Sequence, residues 1–295
     1  MSVQDLSLLS PPELLETLDY EQIFEEMRLR LISLDPTYSA LVESDPAYKI
    51  LEVAAYFRLI DRQRINDAAV ATMLAYAQKA DLDNIGARYN VERQVITPED
   101  TSTVPPTEAV MEPDDDFRLR IQLRLEGMSV AGPVNAYKYH ALSAHAQVAD
   151  VTAISPNPGE VLVTVLSREG NGTASDDVLT AVRTALNAED VRPLTDAVTV
   201  QSATITNYQI DAILYMPPGP EYEATMAAAN TRIAEYTNEQ LRLGRNIRRS
   251  AIDAALHVSG VQNVNVISPA ADIVLDKTKA GYCTSIALSY GGEDE

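Results

Sequence analysis

The longest stretch of this chain without proline or glycine runs from Ala47 to Ile85 and begins directly after Pro46. Proline is tolerated in the first turn of a helix, where its missing amide donor costs no hydrogen bond. The pattern predicts one helix from about Pro46 to about Lys79, roughly 50 Å long at ~1.5 Å per residue. Such a helix exceeds the usual length in globular domains, and its alanines let a second helix approach closely. It therefore needs packing partners along most of its length.

The apolar residues of this stretch recur at helical spacing, with charged residues such as Lys49 and Asp61 between them. A shorter amphipathic segment follows and closes near Arg93. We expect that the rest of the chain does not cover all of this apolar surface and that other chains bind to it. The predicted interface positions are Ile50, Val53, Phe57, Ile60, Leu74 and Leu82.

The chain of 295 residues carries a net charge of −20, and most of its acidic excess lies before residue 117. An acidic surface repels phosphate backbones and anionic membranes, so we expect neither nucleic acid nor a membrane as a partner. No stretch of about 18 apolar residues is present, which indicates no membrane insertion, and no signal peptide is evident. Cys283 is the only cysteine, which excludes an intrachain disulfide and fits a reducing compartment.

Proline and charge divide the chain into four predicted segments. Residues 1–96 form a helical region, with a short helix near Ser10–Glu13 and a second one capped at Asp19. Residues 97–116 contain four prolines, seven acids and no base, and are predicted to be an acidic linker without order of its own. Residues 117–203 and 204–295 form two α/β domains.

The two predicted domains share a change from helical to alternating periodicity. In the first, strands Val148–Ile154 and Val161–Leu166 precede a helix and a strand from Ala197 to Ala203. This β-β-α-β order is typical of a compact α/β sandwich. In the second, the predicted strands are Thr204–Tyr215, Val261–Ile267 and Ser285–Tyr290. The predicted fold class is α+β: a long-helix region that joins an intersubunit bundle, followed by two α/β sandwich domains.

A short sequence pattern is repeated in the two domains, and we call it the internal echo. The pattern Val-x-x-Val-x-x-Ile-Ser-Pro runs from Val148 to Pro156 and recurs from Val261 to Pro269, each time after an alanine-rich helix. Two interpretations remain open: either the domains are related units, or helix-to-strand connections simply look alike.

Residues that carry chemistry do not gather in this sequence. His140 and His145 are five positions apart, which does not place both on one helix face for a metal, and His257 is distant. Cys283 has no histidine nearby, so a buried thiol is favoured over a nucleophile. The acidic run 114–116 lacks the spacing of a calcium loop and is interpreted as a helix cap. We therefore predict no catalytic, cofactor-binding or metal-binding residues, and no cofactor.

One basic cluster interrupts two predicted helices around Gly244 and consists of Arg242, Arg245, Arg248 and Arg249. Cations at helix ends commonly pair with local acids and carbonyls. The alternative is a docking site for an acidic surface of a neighbouring subunit, and we include the four arginines among the candidate interface residues.

Several short segments follow one another in an order and spacing that are typical of one family. They are Asp45-Pro46, Leu51–Ala55, Ala80–Ile85, Tyr89–Arg93, Asp115–Arg120, Ala131–Tyr137 and Val191–Asp196. Together they resemble the baseplate J-like family, the wedge subunits of contractile phage tails and of phage-tail-like bacteriocins. The similarity spans roughly residues 40–215 and is weaker beyond. Asp81 and Asn90 stand where the family usually has glycine, although asparagine tolerates the left-handed conformation.

The resemblance implies a structural role. It implies that the N-terminal helices join those of a second copy and of a different wedge protein in a helical bundle. It implies that the α/β domains contact neighbouring wedges in a sixfold ring around the hub, through which sheath contraction is triggered. Sheath-initiator and hub proteins would be further partners. Assembly would take place in the bacterial cytoplasm, and the released particle would carry the protein in its tail baseplate.

We therefore expect a non-enzymatic baseplate wedge subunit. One alternative is a baseplate component of a related secretion or injection machine, which would use the same physical interactions. A second alternative is a tail-associated cell-wall hydrolase, which would need a pair of carboxylates in a cleft.

Overall fold

The computed structural model describes residues 6–10, 12, 15–217, 219 and 222–293. The chain divides into two compact units, one that ends at Arg93 and one that begins at Gln94. The short helix predicted near Ser10–Glu13 falls largely on positions 11, 13 and 14, which lie outside the described residues. The predicted α+β class is confirmed. Within the described ranges, no helix is both long and apolar enough to cross a membrane.

The N-terminal unit contains the helices α1 (Tyr20–Leu34), α2 (Pro46–Ala71) and α3 (Lys79–Arg88). The Asp19 carboxylate caps α1 by accepting from two backbone amides at 2.8 and 3.2 Å, which confirms the predicted start of that helix. α1 packs against α2, where Phe24 and Ala55 are buried and the rings of Phe24 and Tyr48 lie 4.9 Å apart. This small core holds one face of α2.

Helix α2 is shorter than predicted. It spans 26 residues, about 39 Å, and ends at Ala71 rather than near Lys79. The Thr72 hydroxyl donates to the Ala69 carbonyl at 2.8 Å, and Lys79 adopts a φ of 47° where the chain enters α3. The early end of α2 allows a turn between the two helices, and this turn lets Ala77 and Leu82 become almost completely buried.

Asn90 ends α3 in the left-handed conformation, with a φ of 54°. Asparagine is one of the few residues that adopt this conformation at low cost, because its short polar side chain can hydrogen-bond locally. The left-handed φ at Asn90 is thus compatible with asparagine at a position where the resemblance implies glycine.

The prediction of an unordered linker at residues 97–116 is wrong. Strand β1 (Val95–Thr97) pairs antiparallel with β2 (Val110–Met111), and a bridge between Asp100 and Thr107 extends the hairpin. Helix α4 (Asp114–Leu123) starts within the acidic run, so these aspartates form its first turn instead of capping it. Composition failed here because the hairpin is anchored by a buried ion pair between Glu112 and Arg120 rather than by apolar area.

The middle domain, residues 114–203, packs α4, α5 (Val134–Ala144) and α6 (Asp176–Leu186) with a three-stranded sheet. The strand order is β3 (Val148–Ile154), β4 (Glu160–Ser167) and β5 (Ala197–Ser202). β3 is antiparallel to the central β4, and β5 is parallel to it. The predicted β-β-α-β order is confirmed, and β4 is buried over its second half.

The C-terminal domain, residues 204–293, places its strands in the order β7-β6-β8 and packs helices α7 and α8 with them. In chain order the elements are β6 (Thr204–Tyr215), α7 (Tyr222–Gln240), α8 (Arg249–Leu256), β7 (Asn263–Ser268) and β8 (Lys279–Tyr290). β8 begins six residues before its predicted start at Ser285, in parallel register with β6. The prediction missed this part because Gly281 weakens the strand pattern, whereas in the fold it packs closely against Ile247.

The internal echo has a structural counterpart. β3 and β7, which carry the repeated pattern, are both edge strands antiparallel to a central strand whose other neighbour is parallel. The connections differ, because the central strand follows its antiparallel edge in the middle domain and precedes it in the C-terminal domain. The two sheets therefore share an arrangement of strands without sharing one chain path.

Candidate interaction surfaces

The first candidate surface is an apolar stripe on α2, formed by Ile50, Val53, Phe57 and Ile60. These side chains are 69%, 56%, 59% and 39% exposed, respectively. At 3.6 residues per turn they lie within about 80° of one another and about 180° from the fully buried Ala55. α1 therefore covers one face of α2 and leaves the stripe on the opposite face. Large apolar side chains clustered in this way mark interaction sites more often than isolated ones do.

The second surface is an open groove of about 480 Å³ between α1 and α2, which the sequence did not predict. Its floor is apolar, and charged side chains such as Glu26 and Arg58 stand at its rim. The apolar residues of α1 recur at helical spacing, which is a local signal for an apolar face, and Leu34 among them is 67% exposed. The apolar lining consists of Ile23, Met27, Leu31, Leu34, Leu51 and Ala54.

Two of the predicted interface positions, Leu74 and Leu82, are not part of the exposed stripe. Leu82 on α3 is fully buried within the chain, so as an accessible interface residue it was predicted wrongly. The predicted single helix ends at Ala71, and in the separate helix α3 the side chain of Leu82 is buried. Leu74 lies in that turn and is half-buried. The stripe thus ends at Ile60 and does not continue into the turn.

The four arginines are not gathered into one outward-facing patch. Arg242 donates to the Asp116 carboxylate at 2.9 Å, and Arg245 donates to the carbonyl of Glu239 at 2.8 Å. Arg248 pairs with Asp272 at 2.8 Å. The contacts of Arg245 and Arg248 agree with local pairing at helix ends, the first of the two interpretations, whereas Arg242 reaches a carboxylate of the middle domain.

Arg249 completes the local pairing. Its guanidinium donates to the carbonyls of Val266 and Pro269, and its backbone amide donates to the Asp272 carboxylate. The hydrogen bond from Arg248, followed by that amide, lowers the pKa of Asp272. Docking of this cluster to an acidic neighbour remains a proposal, and only after loss of these contacts would the side chains be available for it.

A third surface, also absent from the sequence-based prediction, lies on two loops of the middle domain. Leu194 is 100% exposed in one loop, and the other contains Leu125, Met128, Val130 and Val134, each more than half exposed. A methyl group added at Gly132 would lie 2.9 Å from Pro193, so the two loops are in close contact.

The loops are held by partly buried polar contacts. The Tyr137 hydroxyl donates to the Asp196 carboxylate at 2.6 Å, and burial, followed by this contact, raises the pKa of Tyr137. His140 Nε2 lies 2.8 Å from the Gly127 carbonyl oxygen. The apolar side chains therefore project from a fixed backbone. Two segments that carry the family resemblance, residues 131–137 and 191–196, converge here.

The histidines and the cysteine that could take part in catalysis make local hydrogen bonds or are partly buried. His145 Nδ1 accepts from the Gln147 amide at 3.1 Å, and His257 lies beside the Asp253 carbonyl. Burial raises the pKa of the Cys283 thiol, which is the opposite of what an activated nucleophile requires. Across the described ranges, no group of three or more histidine, cysteine or acidic side chains is arranged to hold a metal ion.

Comparison with known proteins points to one family along most of the chain. Three family models match: the baseplate J-like N-terminal domain at residues 43–100, the central domain at 129–202 and the C-terminal domain at 208–289. The chain is 54% identical over 302 residues to "Baseplate protein J" of Escherichia phage P2, and the alignment covers 100% of both chains.

A solved structure gives a weaker match. The chain is similar to a protein in the six-fold symmetrised cryo-EM structure of the anti-feeding prophage baseplate, at 14% identity and a TM-score of 0.39. The match covers 64% of this chain and 44% of that one. A similarity of this size carries no argument about function.

Proposed function

The chain belongs to the baseplate J-like family, and we propose that it serves as a wedge subunit in the baseplate of a contractile tail. A structural role in a phage baseplate is supported by its full-length relative, which is a baseplate protein. We infer that the protein acts by association and not by catalysis. The observation that carries this proposal is the exposed apolar stripe on α2, opposite the face that α1 covers.

The stripe and the groove are suited to helical partners. Ile50, Val53 and Phe57 follow one another at spacings of three and four residues, which is the spacing that a second helix uses to interdigitate its own side chains. The groove beside α1 is a further apolar binding site with charged residues at its edges. We propose that a second copy of the chain and a different wedge protein occupy these surfaces in a helical bundle.

The α/β part of the chain would make the contacts between wedges. The loop surface around Leu194 is a rigid apolar patch of the kind that protein interfaces use. We propose that contacts of the α/β domains close a ring around the hub, with the sheath-initiator and hub proteins as neighbours, and that the ring relays the trigger for sheath contraction. Assembly in the bacterial cytoplasm belongs to the same proposal.

A baseplate component of a related injection machine is the second candidate. The same stripe and groove would serve it, so the composition of the assembled particle separates the two. A cell-wall hydrolase would need a pair of carboxylates in a cleft, and no observation described above favours one.

The proposal is tested by assembly in cells that supply the other tail proteins. Phe57→Asp and Ile60→Asp place a charge on the stripe without touching the core, so the chain should fold while the yield of assembled baseplates falls. The control is His257→Ala, another exposed position. Baseplates are counted by electron microscopy, and co-purifying tail proteins are identified by mass spectrometry. Equal yields from the stripe variants and the control would contradict the proposal.

A further inference from the structure

The middle and C-terminal domains meet at a joint that has a very short covalent connection. β5 ends at Ser202 and β6 begins at Thr204, so only Ala203 separates the last strand of one domain from the first strand of the next. The joint has a small apolar centre in which Ala203 is buried together with Leu166, Leu243 and Ala280. Two of these four side chains are single methyl groups, and Ala149, Ile205 and Leu241 pack around them while still partly exposed.

Charged groups surround this centre. Arg242, which follows α7 in the C-terminal domain, donates one hydrogen bond to Asp116 Oδ1 at 2.9 Å and another to the Ala149 carbonyl at 2.8 Å. Arg168 of the middle domain pairs with Asp116 Oδ2 at 2.6 Å. A single carboxylate therefore binds one cation from each domain. Its side chain is only 14% exposed, which limits screening by solvent.

Strand β3 supplies the remaining polar contacts of the joint. The Asp150 carboxylate accepts from the Leu243 backbone amide at 2.9 Å, and the Thr152 hydroxyl donates to the Lys277 carbonyl. β3 is an edge strand of the middle sheet, and an uncovered edge can pair with other chains. The C-terminal domain thus covers part of that edge.

We propose that Asp116 is a latch that holds the two α/β domains together as one rigid body. Charge-assisted hydrogen bonds are stronger than neutral ones, and the contact between Asp116 and Arg242 is an ion pair that crosses the joint. When this pair is broken, each domain keeps its own sheet and core, the contacts of Asp150 and Thr152 are left to hold the joint, and the C-terminal domain moves more widely about Ala203.

In an assembled baseplate, a latched pair of domains would transmit a displacement of one domain to the other without loss. That consequence rests on the proposed function, whereas the latch is a property of the isolated chain. The test therefore uses the purified full-length protein, so that its failure would leave the assembly role untouched.

The test measures the distance between spin labels in the two domains by pulsed electron paramagnetic resonance. Exposed positions on α6 and α7 carry the labels, through Thr180→Cys and Ala228→Cys in a Cys283→Ala background. The latch is removed by Asp116→Ala. The matched control is Asp115→Ala, in the same helical turn, since Asp115 pairs with Arg118 at the surface and its side chain is 94% exposed.

A second pair of variants distinguishes loss of the latch from a general loss of folding. Arg242→Gln leaves the pair between Asp116 and Arg168 intact, and Arg245→Gln is its control because Arg245 binds a carbonyl within its own domain. The parent chain and both controls should give one narrow distance distribution. Asp116→Ala and Arg242→Gln should raise the population of other distances at least about tenfold.

The outcome for Arg242→Gln decides the proposal. A distribution as narrow as that of Arg245→Gln would overturn it, even if Asp116→Ala failed to fold. A broad distribution with unchanged circular dichroism would support a latch that acts between two intact domains.

Discussion

Arg120 donates two hydrogen bonds to the Glu112 carboxylate, from Nε to Oε1 at 2.7 Å and from Nη2 to Oε2 at 2.6 Å, with both side chains almost completely buried. The pair joins the hairpin of β1 and β2 to α4. The Gln94 backbone amide also donates to Glu112 Oε2 at 3.2 Å. A segment whose composition predicts disorder is therefore held in place by a bidentate ion pair.

Removal of one member of this pair should lower the stability of the protein. Glu112→Ala leaves the Arg120 guanidinium buried without its carboxylate, and the expected loss in the free energy of unfolding is about 3–5 kcal/mol. Urea-induced unfolding followed by circular dichroism gives the value. Asp115→Ala, which removes a surface pair with Arg118, should leave the midpoint nearly unchanged. A similar small effect for both variants would contradict a structural role for the buried pair.

Removing the hydroxyl of either of two buried tyrosines should, by contrast, cause no loss of stability. The hydroxyls of Tyr208 and Tyr236 lie in the core of the C-terminal domain, and neither has a hydrogen-bond partner among the described residues. Tyr208→Phe or Tyr236→Phe should therefore leave stability unchanged or raise it by up to about 1 kcal/mol. Tyr137→Phe removes the bond to Asp196 and should lower it by about 1.5–3 kcal/mol. Thermal unfolding of the three variants separates these cases, and destabilisation by Tyr208→Phe would indicate an unseen partner.

Alkaline pH should destabilise the fold through the same tyrosines. Burial raises the pKa of Tyr208 and Tyr236 above their usual value of 10.0. The unfolded phenols lose their protons above about pH 10 while the folded ones keep them, so the unfolded state binds fewer protons and stability falls as pH rises. The slope of the free energy of unfolding between about pH 9 and 11 should become shallower in Tyr208→Phe. A slope in Tyr208→Phe as steep as that of the parent chain would contradict this account.

Elements with a strong local pattern could be predicted from the sequence. β6 has the bounds expected from its alternation, and α1 starts at the cap that Asp19 provides. Each depends on residues within one element and its immediate flanks. The exposed positions Ile50 and Phe57 on α2 also followed from helical period alone, although their role in an interface stays a prediction.

The elements that were predicted wrongly depend on distant contacts. α2 ends early because the following turn buries Ala77 and Leu82, and no breaker residue marks that turn. β8 begins at Lys279 because β6 pairs with it, in spite of Gly281. The groove beside α1 and the loop patch around Leu194 form only where separate segments pack together. The helical spacing of the apolar residues in α1 could therefore indicate an apolar face but not the groove, and no local pattern indicated the loop patch.

The central claim, that the stripe on α2 is a binding surface, is tested most directly by one substitution at two positions of the same helix. Ile50 and Ile65 are 69% and 62% exposed, but only Ile50 lies on the stripe, since Ile65 is rotated from its centre by about 100°. Neither change disturbs the core, so the two variants should unfold at similar temperatures. We expect Ile50→Asp to reduce the yield of assembled baseplates strongly and Ile65→Asp to leave it near that of the parent chain. Equal yields from the two variants would contradict the claim.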